Sequence, residues 1–326
     1  LNWMAGSQYV YSFGKCIFMP SDLTAGIEFN QDKLEDNMWG YHRTVDQRVN
    51  IGSAFLQNEW KNEHWGFLIG GRLDKHNLID HVIFSPRANL RYNPTENINL
   101  RFSYSSGFRA PQAFDEDLHV ENVGGNVAMV ELADNLKEER SQSLSASADI
   151  YHRFGAFQVN FLVEGFYTKL SDVFALTDGE IVDGVLTRTR HNASGAQVMG
   201  LTLEGKMAYL NKIQVQAGVT LQQSHYSKPH IWNKEAPAVK KMMRTPNTYG
   251  YFTATYTPIK PLSIALSGTY TGSMLVPHEP VPGFLENPIT VNTKDFFDIG
   301  LKAAYDFKLY KSMNLKDKLP NMSEEE

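Results

Sequence analysis

Residues 98–111 read INLRFSYSSGFRAP, and the first half of this stretch alternates between apolar and polar side chains. The apolar positions are Ile98, Leu100, Phe102 and Tyr104. Successive side chains of a β-strand point to opposite sides, so this pattern predicts a strand with one apolar face and one polar face. Pro111 has no N–H to donate and is expected to end the strand. Gly107 is expected to supply the bend that releases it from its neighbour.

The same alternation recurs in about thirteen segments, several of them roughly ten residues long or longer. It is clearest at residues 143–151, 213–222, 262–271 and 298–307. Strands in globular proteins average about five to six residues. A tilted strand that crosses a bilayer needs about nine to eleven. Convincing helical periodicity is absent, so the sequence predicts an all-β protein with unusually long strands.

The segments between these strands are alternately short and long. The short connections are residues 61–64, 93–96, 152–155, 210–212 and 257–261. The long connections are residues 73–83, 107–139, 171–194, 224–246 and 273–292. In an up-and-down meander every second connection lies at the same end of the strands. Tight turns at one end and long loops at the other are typical of bacterial outer-membrane barrels.

A barrel follows from the chemistry of the bilayer. In hydrocarbon every backbone N–H and C=O must be paired within the protein, and a sheet achieves this only by closing on itself. The predicted fold is therefore a transmembrane antiparallel β-barrel with its apolar face toward lipid and its Ser, Thr, Gln and Asn face toward water. Soluble sandwiches, propellers and β-rich enzymes also use alternating strands. The strand length and the Gln/Ser/Thr-rich polar face favour the barrel.

The composition of the chain excludes several other classes of protein and site. The chain has 326 residues, a formal net charge of −5 and basic residues that are scattered along it, which argues against nucleic-acid binding. Its single cysteine, Cys16, excludes an internal disulfide and a multi-cysteine zinc site. No run of about 18 apolar residues is present, so no transmembrane helix is expected. The chain is expected to begin within a domain, with a β-domain over residues 1–308 and a charged tail or altered end over 309–326.

Several motifs, taken in order, resemble those of the TonB-dependent outer-membrane receptors. The matching stretches are AFLQNEW at 54–60, GGRLD at 70–74, SYSSGFRAP at 103–111, LKEERS at 136–141, NASGAQVMGLTLE at 192–204, RTPN at 244–247 and YTG at 270–272. The resemblance covers roughly residues 20–308. It implies a plugged barrel of about 22 strands. Since about thirteen strands are visible here, the chain is expected to be the middle-to-late part of such a barrel, without the plug and its TonB-contacting segment, the TonB box.

The resemblance also implies a function. Receptors of this family reside in the outer membrane of Gram-negative bacteria, bind a scarce nutrient at the outer loops and plug, and import it with energy from the TonB complex. A ferric siderophore is the expected cargo, while haem, cobalamin and glycans remain open. A passive porin and a soluble hydrolase are the alternatives from other classes. No catalytic constellation is present, so no enzymatic activity, cofactor or nucleic-acid partner is expected; outer-membrane lipid, an extracellular ligand such as a metal chelate, and TonB are the expected partners.

The candidate ligand contacts lie in the predicted outer loops. They are Arg109, His225, Tyr226, His230 and Trp232. Arg109 has two interpretations: it contacts the ligand or plug, or its five N–H donors tie together carbonyls at the base of a loop, and the second is favoured. Tyr226 and Trp232 suit stacking on a ligand.

The same loops contain histidines and an acidic run that resemble metal ligands, but no metal site is predicted. His225 and His230 are two of six histidines in these loops, the others being His76, His81, His119 and His278. No spacing among the six requires haem-iron or other metal ligation. The acidic run at 115–117 could bind calcium, but a solvated acidic loop is favoured.

Overall fold

A computed structural model of the chain describes residues 1–114, 117–119, 121–123, 126–233, 235–278, 280–281 and 283–307. The predicted tail, 309–326, and its boundary at residue 308 lie outside these residues, as do Asp115 and Glu116 of the acidic run. Among the described residues no helix is long and apolar enough to span a membrane.

The described chain is almost entirely β-strand, with one turn of 3-10 helix at Trp39–Tyr41, and the predicted all-β class is confirmed. The strands are β1 Asn2–Cys16, β2 Met19–Met38, β3 Arg43–Lys61, β4 Trp65–His76, β5 Val82–Thr95, β6 Ile98–Arg109, β7 Glu121–Val123, β8 Asn126–Leu132, β9 Glu139–Phe154, β10 Phe157–Ser171, β11 Phe174–Val182, β12 Val185–Asn192, β13 Ala196–Tyr209, β14 Ile213–His230, β15 Val239–Lys241, β16 Thr248–Ile259, β17 Leu262–Thr271, β18 Leu275–His278, β19 Ile289–Asn292 and β20 Phe296–Tyr305.

The long strands form one antiparallel meander. In the described part of the chain its order is β1-β2-β3-β4-β5-β6-β9-β10-β13-β14-β16-β17-β20, with β15 paired to the outer part of β14. Within the described residues β1 pairs only with β2 and β20 only with β17, so the sheet is an arc with two open edges. The short turns lie at residues 17–18, 62–64, 96–97, 155–156, 210–212 and 260–261, and the other connections lie at the opposite end. The alternation of short and long connections is therefore observed from β6 onward, whereas the 39–42 and 77–81 connections at the loop end are also short.

The register of the strands sorts the side chains into two faces. The polar face includes Ser53, Asp74, Ser103, Ser145, Glu204, Gln216, Thr253 and Ser267. The apolar face includes Leu73, Phe84, Phe102, Leu201, Leu221, Leu266 and Leu301. The large apolar side chains are exposed; Leu301, for example, is 75% exposed and Ile299 is 60% exposed. This is the reverse of a water-soluble protein and is the arrangement expected for a sheet whose outer face contacts lipid.

Aromatic rings gather on the apolar face near the short turns. Trp65 stacks on Tyr92 with ring centroids 4.1 Å apart, and Phe18 stacks on Trp60 at 5.6 Å. The Trp60 indole N–H donates to the backbone oxygen of Cys16 at 3.0 Å, so its polar end is satisfied. Rings with one polar end are typical of the interfacial girdle of a membrane barrel.

The long connections contain a second sheet that sequence periodicity did not predict. Strands β7 and β8 of the 110–138 loop and β11 and β12 of the 172–195 loop pair in the order β11-β12-β8-β7. The β8–β12 pairing is parallel, which is the one parallel ladder between named strands of the described chain. The β11–β12 hairpin turns at Asp183 and Gly184, both at positive φ (50° and 79°), as a two-residue hairpin turn that follows the strand twist requires.

Some of the predicted strand ends were wrong. Pro111 does follow the end of β6, but the ladder continues through Gly107 to the pair Arg109↔Glu139, so Gly107 releases nothing. The connection predicted at 73–83 is loop only at 77–81, because β4 and β5 remain paired up to Lys75↔Val82. The 224–246 connection was also too long. Strand β14 continues to His230, because its outer part pairs with β13 and β15.

The two faces predict different responses to charge. Leu266 and Ser267 are adjacent, exposed residues midway along β17 and point to opposite faces. Leu266→Arg should destabilise the barrel by about 2–4 kcal/mol relative to Ser267→Arg, because only the former places a guanidinium in lipid. Urea titration of the full-length protein folded into phospholipid vesicles measures this difference. Equal effects of the two substitutions would contradict the assignment of the faces.

Candidate functional site at the loop end of the sheet

The candidate site is built where the 110–138 loop folds back over the polar face. Arg109, the last residue of β6, is on that face, since it shares the parity of Ser103 in the β6–β9 register. Its guanidinium carbon lies 3.9 Å from the centre of the Phe114 ring and 5.5 Å from that of Phe174. A guanidinium over two rings gains cation–π attraction and holds the start of the loop against the sheet. The structure therefore gives Arg109 a packing role that is compatible with contact to a ligand.

A buried ion pair lies directly behind this aromatic cluster. Arg190 of β12 donates from Nη1 to Asp117 Oδ2 at 2.7 Å, and the two side chains are 4% and 2% exposed. The same Asp117 oxygen accepts the backbone N–H of Phe114 at 2.6 Å. The Arg190 guanidinium lies 5.3 Å from the centre of the Phe114 ring. Nothing in the sequence pattern predicts this contact. Phe114 thus lies beside two arginines, one at the end of β6 and one in β12 of the 172–195 loop.

His225, Tyr226 and His230 lie within strand β14 and not in a loop, and they do not all point to the same face. Tyr226 shares the polar face, since it pairs with Ala196 in the β13–β14 register, and its neighbour His225 faces the other way. The rings of Tyr226 and His230 lie 4.9 Å apart. Burial raises the pKa of Tyr226; burial and then the charge of nearby His191 lower the pKa of His230.

Trp232 is buried, with 7% of its surface exposed, and its indole N–H has no acceptor among the described residues. A ring so covered has little surface left to stack on a ligand in this conformation. Tyr226 and His230 are half-buried and keep part of their surface accessible. Of the five predicted contacts, Arg109 and Tyr226 lie on the polar face, and His230 lies beside Tyr226.

The β11–β12 hairpin connects the two groups of candidates. Adjacent residues of a strand point to opposite sides. Arg190 is therefore directed to Asp117 and Phe114 on one side of the hairpin, while His191 on the other acts electrostatically on His230. The Nδ1 atom of His191 also lies 3.3 Å from the hydroxyl oxygen of Thr177. Neither Arg190 nor His191 was a sequence candidate, because the interrupted alternation of this loop hid its strands.

A buried histidine forms part of the floor beneath the loop. His76, the last residue of β4, is fully buried; its Nδ1 accepts the backbone N–H of Leu78 at 3.0 Å, and its Nε2 lies 3.4 Å from Gln112 Oε1. Burial lowers the pKa of His76, and the Gln112 contact opposes this in part. Ile79, Ile83 and Ala110 form a small apolar core at the same end of the sheet. His76 therefore links the short 77–81 loop to the start of the 110–138 loop.

A second charged group closes the outer side of this loop. Glu138 Oε1 accepts from Arg140 Nη2 at 2.8 Å and lies 3.0 Å from His81 Nε2. Burial raises the pKa of Glu138, but the hydrogen bond and charge of Arg140, a backbone hydrogen bond and the contact with His81 together outweigh it, so the net direction is downward. The 110–138 loop is thus held at both ends, by Arg109 at its start and by Glu138 at its finish.

The polar face below the loops carries its own hydrogen-bonded network. Arg72 donates to Glu28 at 3.1 Å, to Asp74 at 2.8 Å and to Ser53 at 2.7 Å, and Ser53 donates to Asp74 at 2.6 Å. A similar group joins Tyr251, Glu204, Gln216 and Lys206 across β13, β14 and β16. Paired charges and amides on the polar face are what a wet or plug-filled lumen accepts and what lipid would exclude.

A cavity of about 560 Å³ separates the outer part of β3 from the 110–138 loop. Gln47 bonds both the N–H and the carbonyl of Ala113, at 2.7 and 3.3 Å, and Arg43 donates to the carbonyl of Val130. Among the described residues no group of three or more His, Cys, Asp or Glu side chains is arranged to hold a metal ion. The loop end therefore offers arginines, aromatic rings and amides.

The burial of His76 predicts a pH dependence. Its folded-state pKa is lowered, so the stability that neutral His76 contributes is complete above about pH 6.5, the ordinary histidine value, and is lost as the pH falls through the lowered value. Hydrogen exchange of residues 77–81 and 110–114, corrected for intrinsic rates, should accelerate between pH 7.5 and 5.

His76→Gln should remove this step, because glutamine does not titrate, whereas His64→Gln at the short-turn end should leave it. A pH step that persists in His76→Gln would assign it to another group.

Comparison with known proteins places these features in a family. The family profile described as "TonB dependent receptor-like, beta-barrel" matches residues 2–317. No curated protein matches the chain by sequence.

Solved structures show the same fold at low identity. The siderophore receptor PirA from Acinetobacter baumannii superposes with a TM-score of 0.68 at 15% identity, covering 94% of this chain and 48% of that one. A mutant of the ferric enterobactin receptor PfeA from Pseudomonas aeruginosa superposes with a TM-score of 0.66 at 16% identity, covering 94% of this chain and 46% of that one. For the ferric-catecholate import receptor Fiu from E. coli K12 the TM-score is 0.67 at 12% identity, with 94% of this chain and 48% of that one covered. The chain spans about half the length of these structures.

Proposed function

The chain belongs to the TonB-dependent receptor β-barrel family, and from that premise we propose that it forms part of the barrel wall and outer loops of an outer-membrane receptor that imports a ferric siderophore. Uptake is binding and transport, with no bond of the ligand broken. The energy is supplied through TonB, and the protein resides in the outer membrane of a Gram-negative bacterium.

The observation that carries the proposal is the Arg109 cluster over the polar face. Ferric siderophores are compact metal chelates, and many present anionic oxygens and flat rings. A guanidinium stacked on Phe114, with Phe174 beside it, offers charge and aromatic surface in one place. The solved structures with this fold include receptors named for siderophores, ferric enterobactin and ferric catecholates. These names support the ligand class for this chain.

A passive porin is the weaker candidate. A porin keeps an aqueous passage open, whereas here the 110–138 loop folds back onto the polar face through Arg109, His76 and Gln47. Such a loop favours capture of a ligand over free diffusion.

Uptake measurements test the proposal. A strain lacking the complete gene, and the same strain carrying it, should be supplied with ⁵⁵Fe bound to enterobactin, ⁵⁵Fe bound to a hydroxamate siderophore, haemin or cyanocobalamin. We expect gene- and TonB-dependent accumulation of iron from a siderophore. Uptake of haemin or cobalamin alone would move the cargo to another class, and uptake independent of TonB would favour a porin.

Arg109→Gln should weaken binding of that siderophore by about tenfold, since it removes one charged, stacked contact. Arg101→Gln is the matched control, because Arg101 lies on the same strand and face but deeper in the sheet. Binding to purified full-length receptor, measured by intrinsic fluorescence quenching, separates the two. Equal losses in both variants would show that Arg109 has no local role.

A further inference from the structure

The 110–138 and 172–195 loops are joined by backbone hydrogen bonds between β8 and β12. The β8–β12 ladder runs in register from Val127↔Val185 to Leu132↔Arg190. It is extended at both ends, by Val127 N–H to the Gly184 carbonyl at 3.1 Å and by Ala133 N–H to the Arg190 carbonyl at 2.9 Å. Two loops that leave different strand pairs thus share one small sheet.

Side chains add to this connection. Asn192 accepts the Lys137 N–H at 2.7 Å and donates to the Lys137 carbonyl at 3.0 Å. The ion pair between Asp117 and Arg190 is the most buried of these contacts. Removing one partner of a buried pair leaves an uncompensated charge and is strongly destabilising, so a single substitution at Asp117 or Arg190 should loosen the loops more than one at an exposed contact does.

The same pair fixes the aromatic cluster. Asp117 closes its own turn, accepting the Phe114 N–H at 2.6 Å while its own N–H donates to the Phe114 carbonyl at 2.9 Å. Arg190 lies 5.3 Å from the Phe114 ring on one side, and Arg109 lies 3.9 Å from it. Displacing Arg190 would therefore remove a buried partner of the carboxylate that closes the turn and one of the two guanidinium groups beside the ring.

We propose that Asp117 and Arg190 are positioning residues that hold Phe114 against Arg109 and couple the 110–138 and 172–195 loops, so that the two loops open together. The consequence for ligand capture rests on the proposed function. The mechanical coupling does not, because it follows from contacts within the protein.

The coupling is tested without ligand, by hydrogen exchange of the full-length receptor in detergent or vesicles. Asp117→Asn and Arg190→Gln should each raise exchange in both 126–132 and 185–192, since opening one loop removes the ladder of the other. Glu131→Gln, which removes an exposed carboxylate from β8, is the matched control and should change neither. Exchange confined to the loop that carries the substitution would overturn the proposal.

Heat-modifiable migration on gels verifies that each variant retains its barrel. Should Asp117→Asn fail to fold, the conservative variants Asp117→Glu and Arg190→Lys replace it, with smaller increases expected in the same two segments.

Binding of ferric enterobactin tests the positioning. If Asp117 holds the Phe114 platform, Arg109→Gln should lower affinity by about tenfold in the wild-type background and by less than about twofold in Asp117→Asn. Additive losses would show that Asp117 acts only on loop stability. If the wild-type receptor binds no siderophore, the proposed function fails, and the exchange experiment still decides whether the loops are coupled.

Discussion

Backbone hydrogen bonding within the sheet is the constraint on which the rest of this structure depends. A strand in hydrocarbon has no water to satisfy its N–H and C=O groups, so each must be paired with its neighbour along its whole length. The long, continuous registers, such as Phe157↔Tyr209 to Leu170↔Ala196, are the direct result. The open edges at β1 and β20 need partners before lipid can surround them. The solved relatives are about twice as long as this chain.

The same constraint reverses the usual distribution of side chains and leaves little apolar core. The buried apolar cluster of Ile79, Ile83 and Ala110 lies at the loop end, where the chain emerges into water. Specific structure there is supplied by polar contacts: the Asp117–Arg190 pair, the Glu138–Arg140 pair and the amide of Gln47. The Asp117–Arg190 and Gln47–Ala113 contacts join residues that are 73 and 66 positions apart, so the loops hold their shape only when several connections are formed together.

Period-two alternation was sufficient to predict the fold class, the meander and the apolar face, because each strand carries that signal in its own residues. The loop sheet could not be predicted in this way. Strands β8 and β12 pair in parallel across a long separation, and neither alternates clearly. Arg190 and Asp117 become a site only through that pairing. Arg109 is predictable from its position at the end of β6, whereas only its chemistry suggests Trp232, which is buried. Local patterns thus identified the wall and missed the contacts that shape the loops.

One face of this sheet contacts lipid, and the other faces an aqueous lumen covered by the loops. Cysteine scanning along β17, residues 262–271, in the outer membrane of intact cells tests it most directly. We expect a period of two, in which a water-soluble maleimide labels positions 263, 265 and 267 once the lumen is made accessible, while 264 and 266 stay unlabelled until the protein is unfolded in urea, because a thiol in hydrocarbon does not ionise. Uniform labelling by the water-soluble reagent at every position, or recovery of the protein in the soluble fraction, would contradict it.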